Sequence, residues 1–227
     1  MTNIAPLVSK ELIERAKKLN TTLISDAMGR TGSMEHTMKP VAPGMKVVGT
    51  ALTIELSPGD NLFLHQGIYT GGEGYVLVAD GKAHTENAYL GELMADASKA
   101  IGNEGIVIDG FVRDKETLAQ MGYPIFAKGF IPNGPFKEGP GAINTPISCS
   151  GVAVYPGDLI IGDEDGVVVV PREKIEDILQ EAENKLEYEK TRLESIATYV
   201  ENRKQGNADI ASIAPPWLEK KIKELSI

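Results

Sequence analysis

The stretch from Leu90 to Asp114, LGELMADASKAIGNEGIVIDGFVRD, constrains the fold more than any other part of the chain. It reads as a short turn, an amphipathic helix opening at Gly91-Glu92-Leu93-Met94, and a strand. The strand is the apolar run Ile106, Val107 and Ile108, with Gly105 before it and Asp109-Gly110 after it. A short, continuously apolar run of this kind fits a central strand covered on both faces. In open α/β sheets ligands collect outside the carboxyl ends of the strands. Arg113 and Asp114 fall just past such an end. A helix start adds unpaired N–H groups and a partial positive charge, which suit a carboxylate or a phosphate. One unit therefore offers a guanidinium, two carboxylates (Glu92 and Asp114) and an anion-binding helix start.

The rest of the chain sets bounds on what that unit can serve. At 227 residues, with no repeat and no low-complexity linker, the expectation is one domain over 1–227, with 198–227 as a C-terminal helical tail. The formal charge of −9 argues against a protein that coats nucleic acid, because no basic field offsets phosphate repulsion. No apolar run reaches the ~18 residues of a membrane span, and the start lacks a signal peptide's apolar core. A single cysteine, Cys149, fits a reducing compartment, so the expected location is the cytoplasm. Cys149 reads as a small residue in a strand rather than a nucleophile. His36, His65 and His84 lie far apart and no Cys-X2-Cys occurs, which argues against structural zinc.

Taken in order, Ser9 caps a helix with Leu12, Ile13, Ala16 and Leu19 on one face. Thr21-Thr22 starts a second helix that stops at Gly29. Residues 33–43 read as a loop and Val47 to Leu56 as a strand. Ser57-Pro58-Gly59-Asp60 turns into a helix. There Asn61 is open to two readings, a helix cap or a residue near the pocket. Tyr75 to Ala79 reads as a strand ended by Asp80-Gly81, with Lys82 to Tyr89 as a connection. A short helix stopped by Gly122, a strand at Pro124 to Ala127 and a Pro/Gly-rich surface loop at 131–141, a candidate neighbour of the site, follow. Short strands at 147–150 and 152–155 come next. Leu159 to Ile161 and Val167 to Val170 then pair as a hairpin about an acidic turn. From Pro171 a long helix runs to about Ala197. Its apolar stripe carries a misfit, Glu189, seven residues after Ala182 and four before Leu193. The Pro215-Pro216-Trp217 stretch opens a short terminal helix. Alternation early and β-richness late suit a layered α/β domain.

Glu92 followed by twenty residues and then Arg113-Asp114 resembles the acidic-X20-Arg-Asp signature of the RraA-like family. So do GTALTIEL, Gly59-Asp60-Asn61, YVLVADG, GIVIDGFVRD, PIFAKG and GVAVYPGDLIIGDEDGVVVVP, and the resemblance covers roughly Leu19 to Arg192. The family includes the 4-hydroxy-4-methyl-2-oxoglutarate/4-carboxy-4-hydroxy-2-oxoadipate aldolases and the regulator of ribonuclease activity A. The resemblance implies a swivelling β/β/α fold assembled as a homotrimer or a dimer of trimers. It also implies that a glutamate on the long helix enters the neighbouring subunit's site, with Glu189 the best match and Glu187 a less favoured register. Pyruvate release from a small 2-oxo acid, with oxaloacetate decarboxylation through the same enolate, is the implied activity.

Residue chemistry agrees with that implication. Cleavage that leaves a pyruvate enolate needs its negative charge stabilised where it develops. The one lysine at the unit's polar ends, Lys115, sits beside an acid, which disfavours a Schiff base. A divalent cation is the other route. Asp114 is a hard-oxygen ligand suited to Mg²⁺ or Mn²⁺, and Glu92 can hold a water on that ion. Arg113 can pair with the substrate's carboxylate or oxo oxygen. The turn amides of Gly91, Glu92, Leu93 and Met94 can bind its other carboxylate oxygens. The bland readings are a salt bridge for Arg113-Asp114 and a dipole-compensating acid for Glu92. A function of another class is a non-catalytic regulator that binds a ribonuclease or RNA helicase. The menaquinone methyltransferase label attached to some relatives is disfavoured, because the expected glycine-rich nucleotide loop is absent.

Overall fold

The computed structural model describes residues 4–225. The chain divides into two compact units, Met1–Ala182 and Glu183–Ile227. The first holds strands β1 (Lys39–Pro40), β2 (Val47–Leu56), β3 (Tyr75–Leu90), β4 (Gly105–Val112) and β5 (Ile125–Phe130). It continues with β6 (Gly141–Ile143), β7 (Ile147–Cys149), β8 (Val152–Val154), β9 (Leu159–Asp163) and β10 (Gly166–Val170). Its helices are α1 (Lys10–Ala16), α2 (Thr21–Ala27), α3 (Leu62–Thr70), α4 (Glu92–Ile101) and α5 (Lys115–Gln120). Helix α6 (Ile175–Lys204) runs from the first unit into the second, which also carries α7 (Leu218–Leu225).

An eight-stranded sheet in the order β1-β5-β4-β3-β2-β9-β10, with β6 also on β2, forms the middle layer. Strands β2 to β5 run parallel to one another, and β1, β6, β9 and β10 pair antiparallel at the sides. Side chains alternate faces along each strand, and both faces are apolar. Leu77, Ala79, Ile106 and Ile108 pack with Leu64 and Ile68 of α3, Ala95 of α4 and Leu118 of α5. Val76, Val78, Val107 and Phe126 pack on the opposite face with Ile147, Cys149 and Val154 of the β7–β8 sheet. Helices, large sheet and small sheet are thus the three layers of a β/β/α arrangement, as the resemblance implies. Cys149 is buried in the second core, and burial pushes its thiol well above the ordinary range, so it is packing and not a nucleophile.

Three expectations need correction. Strand β3 does not end at Asp80-Gly81. It continues to Leu90 through register shifts against β4, with Lys82 and Ala83 at φ 57° and 54°. Polar residues disguise the extension. Asp80 is buried there because Lys82 Nζ lies 2.6 Å from its Oδ2. Strand β4 likewise runs past Asp109 to Val112, and Asp109 is compensated by Lys128 at 2.8 Å and by the Ser150 amide at 2.7 Å. The 33–43 segment contains the edge strand β1, which pairs Lys39 with Ala127.

Other readings stand. Ser9 accepts a hydrogen bond from the Leu12 amide, and the β9–β10 hairpin pairs Asp163 with Gly166. Its acidic turn is also a cap. Asp163 accepts from the Thr21 amide at 2.8 Å and the Thr21 hydroxyl at 2.7 Å, at the start of α2. The long helix begins only after a 3₁₀ turn at Arg172–Lys174 and extends to Lys204. Among the described residues no helix is long and apolar enough to cross a membrane.

Candidate active site

The exit of β4 is tied to both neighbours. The Arg113 amide donates to Leu90 O at 2.9 Å and the Ile131 amide donates to Val112 O at 3.0 Å. Asp114 then takes a left-handed conformation, φ 61° and ψ 43°, which aspartate tolerates better than most side chains. That bend returns its carboxylate toward the preceding helix. Asp114 Oδ2 accepts from the Glu92 amide at 3.0 Å, so it caps the start of α4 across the sequence gap. It makes no side-chain cap on α5, the helix it immediately precedes. The fit depends on Gly91. A Cβ there would lie 2.4 Å from Asp114 Oδ2 and 3.0 Å from Arg113 Nε.

Arg113 and Asp114 do not neutralise each other. Nε and Oδ2 are 3.8 Å apart and both side chains are about two-fifths exposed. An exposed pair of this kind is worth little, about 0–1 kcal/mol, so the bland salt-bridge reading accounts for little. Asp114 Oδ1 and the terminal guanidinium nitrogens have no protein partner among the described residues. They border an open groove of about 310 Å³ lined also by Lys115, Phe130, Ile131 and Pro132. Lys115 lies 5.0 Å over the Phe130 ring, a cation–π contact.

The first turn of α4 completes the surroundings. The Glu92 amide is taken by Asp114, whereas the Leu93 and Met94 amides have no intrahelical acceptor by helix geometry. Glu92 is half-buried and Leu93 is 84% exposed. Asn61 supports this turn from below. Its Nδ2 donates to Tyr89 O at 2.9 Å and contacts Met94 Sδ at 3.1 Å, so its side chain braces the α4 turn and makes no cap bond to α3. Asn61 holds the N-cap position of α3, and the side-chain bond there comes from the residue before it, Asp60, whose Oδ1 accepts from the Leu62 amide at 2.9 Å. Asn61 Oδ1 is buried without a partner among the described residues.

The structure thus brings Gly91, Glu92, Leu93, Met94, Arg113 and Asp114 together at one strand end. Glu189 belongs to the second unit, where it is exposed on a helix whose Leu193, Ile196 and Val200 are also exposed. The Pro/Gly-rich loop that the sequence places at the surface near the site forms a wall beside Arg113, and Ile131 and Pro132 line its groove. A Cβ on Gly134 would sit 3.1 Å from Arg113 Nη1. Its only signal in the sequence was the density of Pro and Gly there.

Can this site hold a divalent cation? Among the described residues no three His, Cys, Asp or Glu side chains group as a metal cage. A single carboxylate with a free oxygen and a second acid beside it does suit Mg²⁺ or Mn²⁺, which keep most of their water. It does not suit zinc, which takes three or four protein ligands. The residues present therefore fit a hard, largely hydrated ion.

The chain is a three-layer α/β domain whose guanidinium, free carboxylate oxygen and open helix amides lie at the carboxyl edge of the sheet, where sheets of this class gather their ligands. More narrowly, the chain belongs to the RraA-like family, described as Aldolase/RraA, which matches residues 21–169. A protein of Halalkalibacterium halodurans, provisionally named 4-hydroxy-4-methyl-2-oxoglutarate aldolase, is 37% identical over 190 residues, covering 84% of this chain and 90% of that one. A solved uncharacterized protein from Pseudomonas syringae superposes with TM-score 0.77 at 26% identity, covering 87% of this chain and 93% of that one. Streptomyces coelicolor RraAS2, described as an unusual member of the RNase ES inhibitor RraA family, gives 0.73 at 26% identity, covering 81% and 96%.

Proposed function

We propose that this protein is a divalent-metal-dependent carbon–carbon lyase. Its substrates are 2-oxo diacids of the 4-hydroxy-4-methyl-2-oxoglutarate type, cleaved to pyruvate, and oxaloacetate, decarboxylated to pyruvate. The carrying observation is Arg113 and Asp114 held at the β4 exit with their outer atoms free, over the first turn of α4. The name of the Halalkalibacterium relative supports the same reading.

In this reading the Leu93 and Met94 amides bind the substrate carboxylate, and Arg113 holds its 2-oxo oxygen. In the aldol substrate the 4-hydroxyl loses its proton and the C3–C4 bond breaks. The bond's electron pair passes to the 2-oxo group, and C4 leaves as a carbonyl carbon. In oxaloacetate the C3–C4 bond breaks with loss of CO₂ and the same electron pair is stored. Protonation at C3 then gives pyruvate. Arg113 opposes the charge that develops on the oxo oxygen, an interaction stronger in the transition state than in the substrate. Asp114 would hold Mg²⁺ or Mn²⁺, with Glu92 orienting a water, and the ion would supply Lewis-acid polarisation. Glu189 would come from a neighbouring copy to guide proton transfer, in a homotrimer or dimer of trimers working in the cytoplasm. The acidic chain has no need of nucleic acid or membrane for this chemistry.

The regulator reading is supported by the RraA proteins' shared fold, and the intact Glu92, Arg113 and Asp114 favour the enzyme over it. The test is pyruvate release from oxaloacetate with excess chelator and then with added Mg²⁺ or Mn²⁺. Loss and restoration are expected. Full activity in chelator removes the metal from the account.

A further inference from the structure

The segment 131–140 joins β5 to β6 and forms the wall beside Arg113, yet it has no helix of its own to fix it. Its shape comes from bonds to the turn before α3 and to β3. Asp60 is 4% exposed and serves both sides of that junction. Oδ1 accepts from the Leu62 amide at 2.9 Å, while Oδ2 accepts from the amides of Glu138 and Gly139, the latter at 3.0 Å. Next to it the Phe136 amide donates to Gly59 O at 2.8 Å, and the Asn61 amide donates to Phe136 O at 3.0 Å. The other end of the segment is held by β3. The Ala88 amide donates to Asn133 O at 2.8 Å, and Asn87 Nδ2 donates to Gly134 O at 2.7 Å. Gly134 then abuts the Arg113 guanidinium, with 3.1 Å between a Cβ position there and Nη1.

We propose that Asp60 is a positioning residue for Arg113, acting through the 131–140 wall. The inference rests on the reading of Arg113 as the group that holds the 2-oxo acid. Three amides point at one buried carboxylate, and only an acceptor on both oxygens satisfies them. An amide side chain turns an NH₂ toward one set of donors, so the contact becomes repulsive. The wall then loosens beside a guanidinium that no protein acceptor holds from that side. Burial by itself raises a carboxyl's pKa. At Asp60 the amides of Glu138, Leu62 and Gly139, with the Lys137 ammonium, outweigh it and hold the carboxyl below its ordinary value.

The experiment compares the parent with Asp60→Asn and, should that variant fold poorly, with Asn87→Ala, which removes the opposite pin. Three readouts are taken. Hydrogen exchange of peptides spanning 131–140 should rise. Modification of Arg113 by phenylglyoxal, mapped by mass spectrometry, should accelerate severalfold without any substrate present. Pyruvate release from oxaloacetate should fall by about tenfold to a hundredfold, the loss typical of misplacing a reacting group by about 1 Å. In an Arg113→Ala background the same substitution should cost less than about threefold, because the group it positions is gone. An Asp60 that serves the fold alone lowers both backgrounds by the same factor, and that result overturns the proposal. Unchanged exchange and unchanged Arg113 reactivity also overturn it. If the parent releases no pyruvate from any 2-oxo acid, the functional reading fails, and the exchange and phenylglyoxal data still decide whether Asp60 positions Arg113.

Discussion

Replacing Gly91 with alanine tests the site without touching a charged group. The backbone there is extended, with φ −141° and ψ −172°, so alanine brings no conformational strain. The cost is steric and falls most heavily on Asp114, with Arg113 Nε also crowded at 3.0 Å. The new methyl would lie 2.4 Å from Asp114 Oδ2, where ordinary contact begins near 3.4 Å. Asp114 must therefore retreat by about 1 Å, and as the far end of an exposed side chain it can do so while the backbone stays. The retreat breaks the 3.0 Å bond from the Glu92 amide. That bond is worth about 0.5–1.5 kcal/mol, so the melting temperature should fall by no more than about 6 °C. Turnover should suffer far more. A misplacement of about 1 Å at a reacting group costs about a hundredfold, or about 2.7 kcal/mol of barrier. The assay is pyruvate formation from oxaloacetate with Mg²⁺, coupled to lactate dehydrogenase and corrected for spontaneous decarboxylation. Half-saturation by Mg²⁺ is measured alongside, and should move to higher concentration. A folded Gly91→Ala protein with kcat/KM within threefold of the parent and unchanged Mg²⁺ dependence would refute the reasoning.

Arg113→Ala should lower turnover by about two to three orders of magnitude, with Arg113→Lys recovering only part, since an ammonium lacks the guanidinium's fork; near-normal turnover in a folded Arg113→Ala protein returns the residue to a surface ion pair. Asp114→Ala and Glu189→Ala homo-oligomers should each be nearly inactive, and co-refolding them should restore part of the activity if one copy's Glu189 completes another's site. Mixed oligomers that form and stay inactive count against sharing. Asp60, with its carboxyl held below the ordinary value, contributes stability above the usual aspartate range and loses it as pH falls. The melting-temperature gap between the parent and Asp60→Asn should be widest near neutrality and close below about pH 3.9; a gap that widens on acidification contradicts this. The Cys149 thiol should not react with an aromatic disulfide in the native protein and should react at once in denaturant; rapid native labelling would mean the second core opens.

The parts of the fold set by local rules could be read from the chain. Continuous apolar runs in Val76 to Ala79 and Ile106 to Ile108 mark strands buried on both faces, and they are. Arg113-Asp114 after such a strand marks a site because chain direction alone puts it at the sheet's carboxyl edge. The continuation of β3 was hidden because Asp80 and Lys82 look like a turn, and only their mutual pairing makes the acid a strand residue. Asp60 and Asn61 are both cap-type residues side by side. Which side chain caps α3 follows from backbone angles that sequence does not display, and Asp60 takes the Leu62 amide while Asn61 turns to Tyr89 O under the α4 turn. The wall at 131–140 was legible only as a surface loop near the site, because its order comes from partners far away in sequence, Asp60 and Asn87. Glu189 was conspicuous as a charge on an apolar stripe. The stripe is buried at Ile175, Leu179 and Ala182 and exposed at Leu193, so the misfit falls on its exposed part.

The central claim is that the Arg113-Asp114 corner makes pyruvate from 2-oxo diacids. The most direct measurement follows pyruvate from 4-hydroxy-4-methyl-2-oxoglutarate and from oxaloacetate, with Mg²⁺, for the parent and for Asp114→Ala, checked as folded by circular dichroism. The account predicts two pyruvates per molecule of the first substrate, one pyruvate and one CO₂ per oxaloacetate, and near-background rates for Asp114→Ala. Pyruvate release at equal rates from parent and variant, or none above background from either substrate with Mg²⁺ or Mn²⁺, would contradict it.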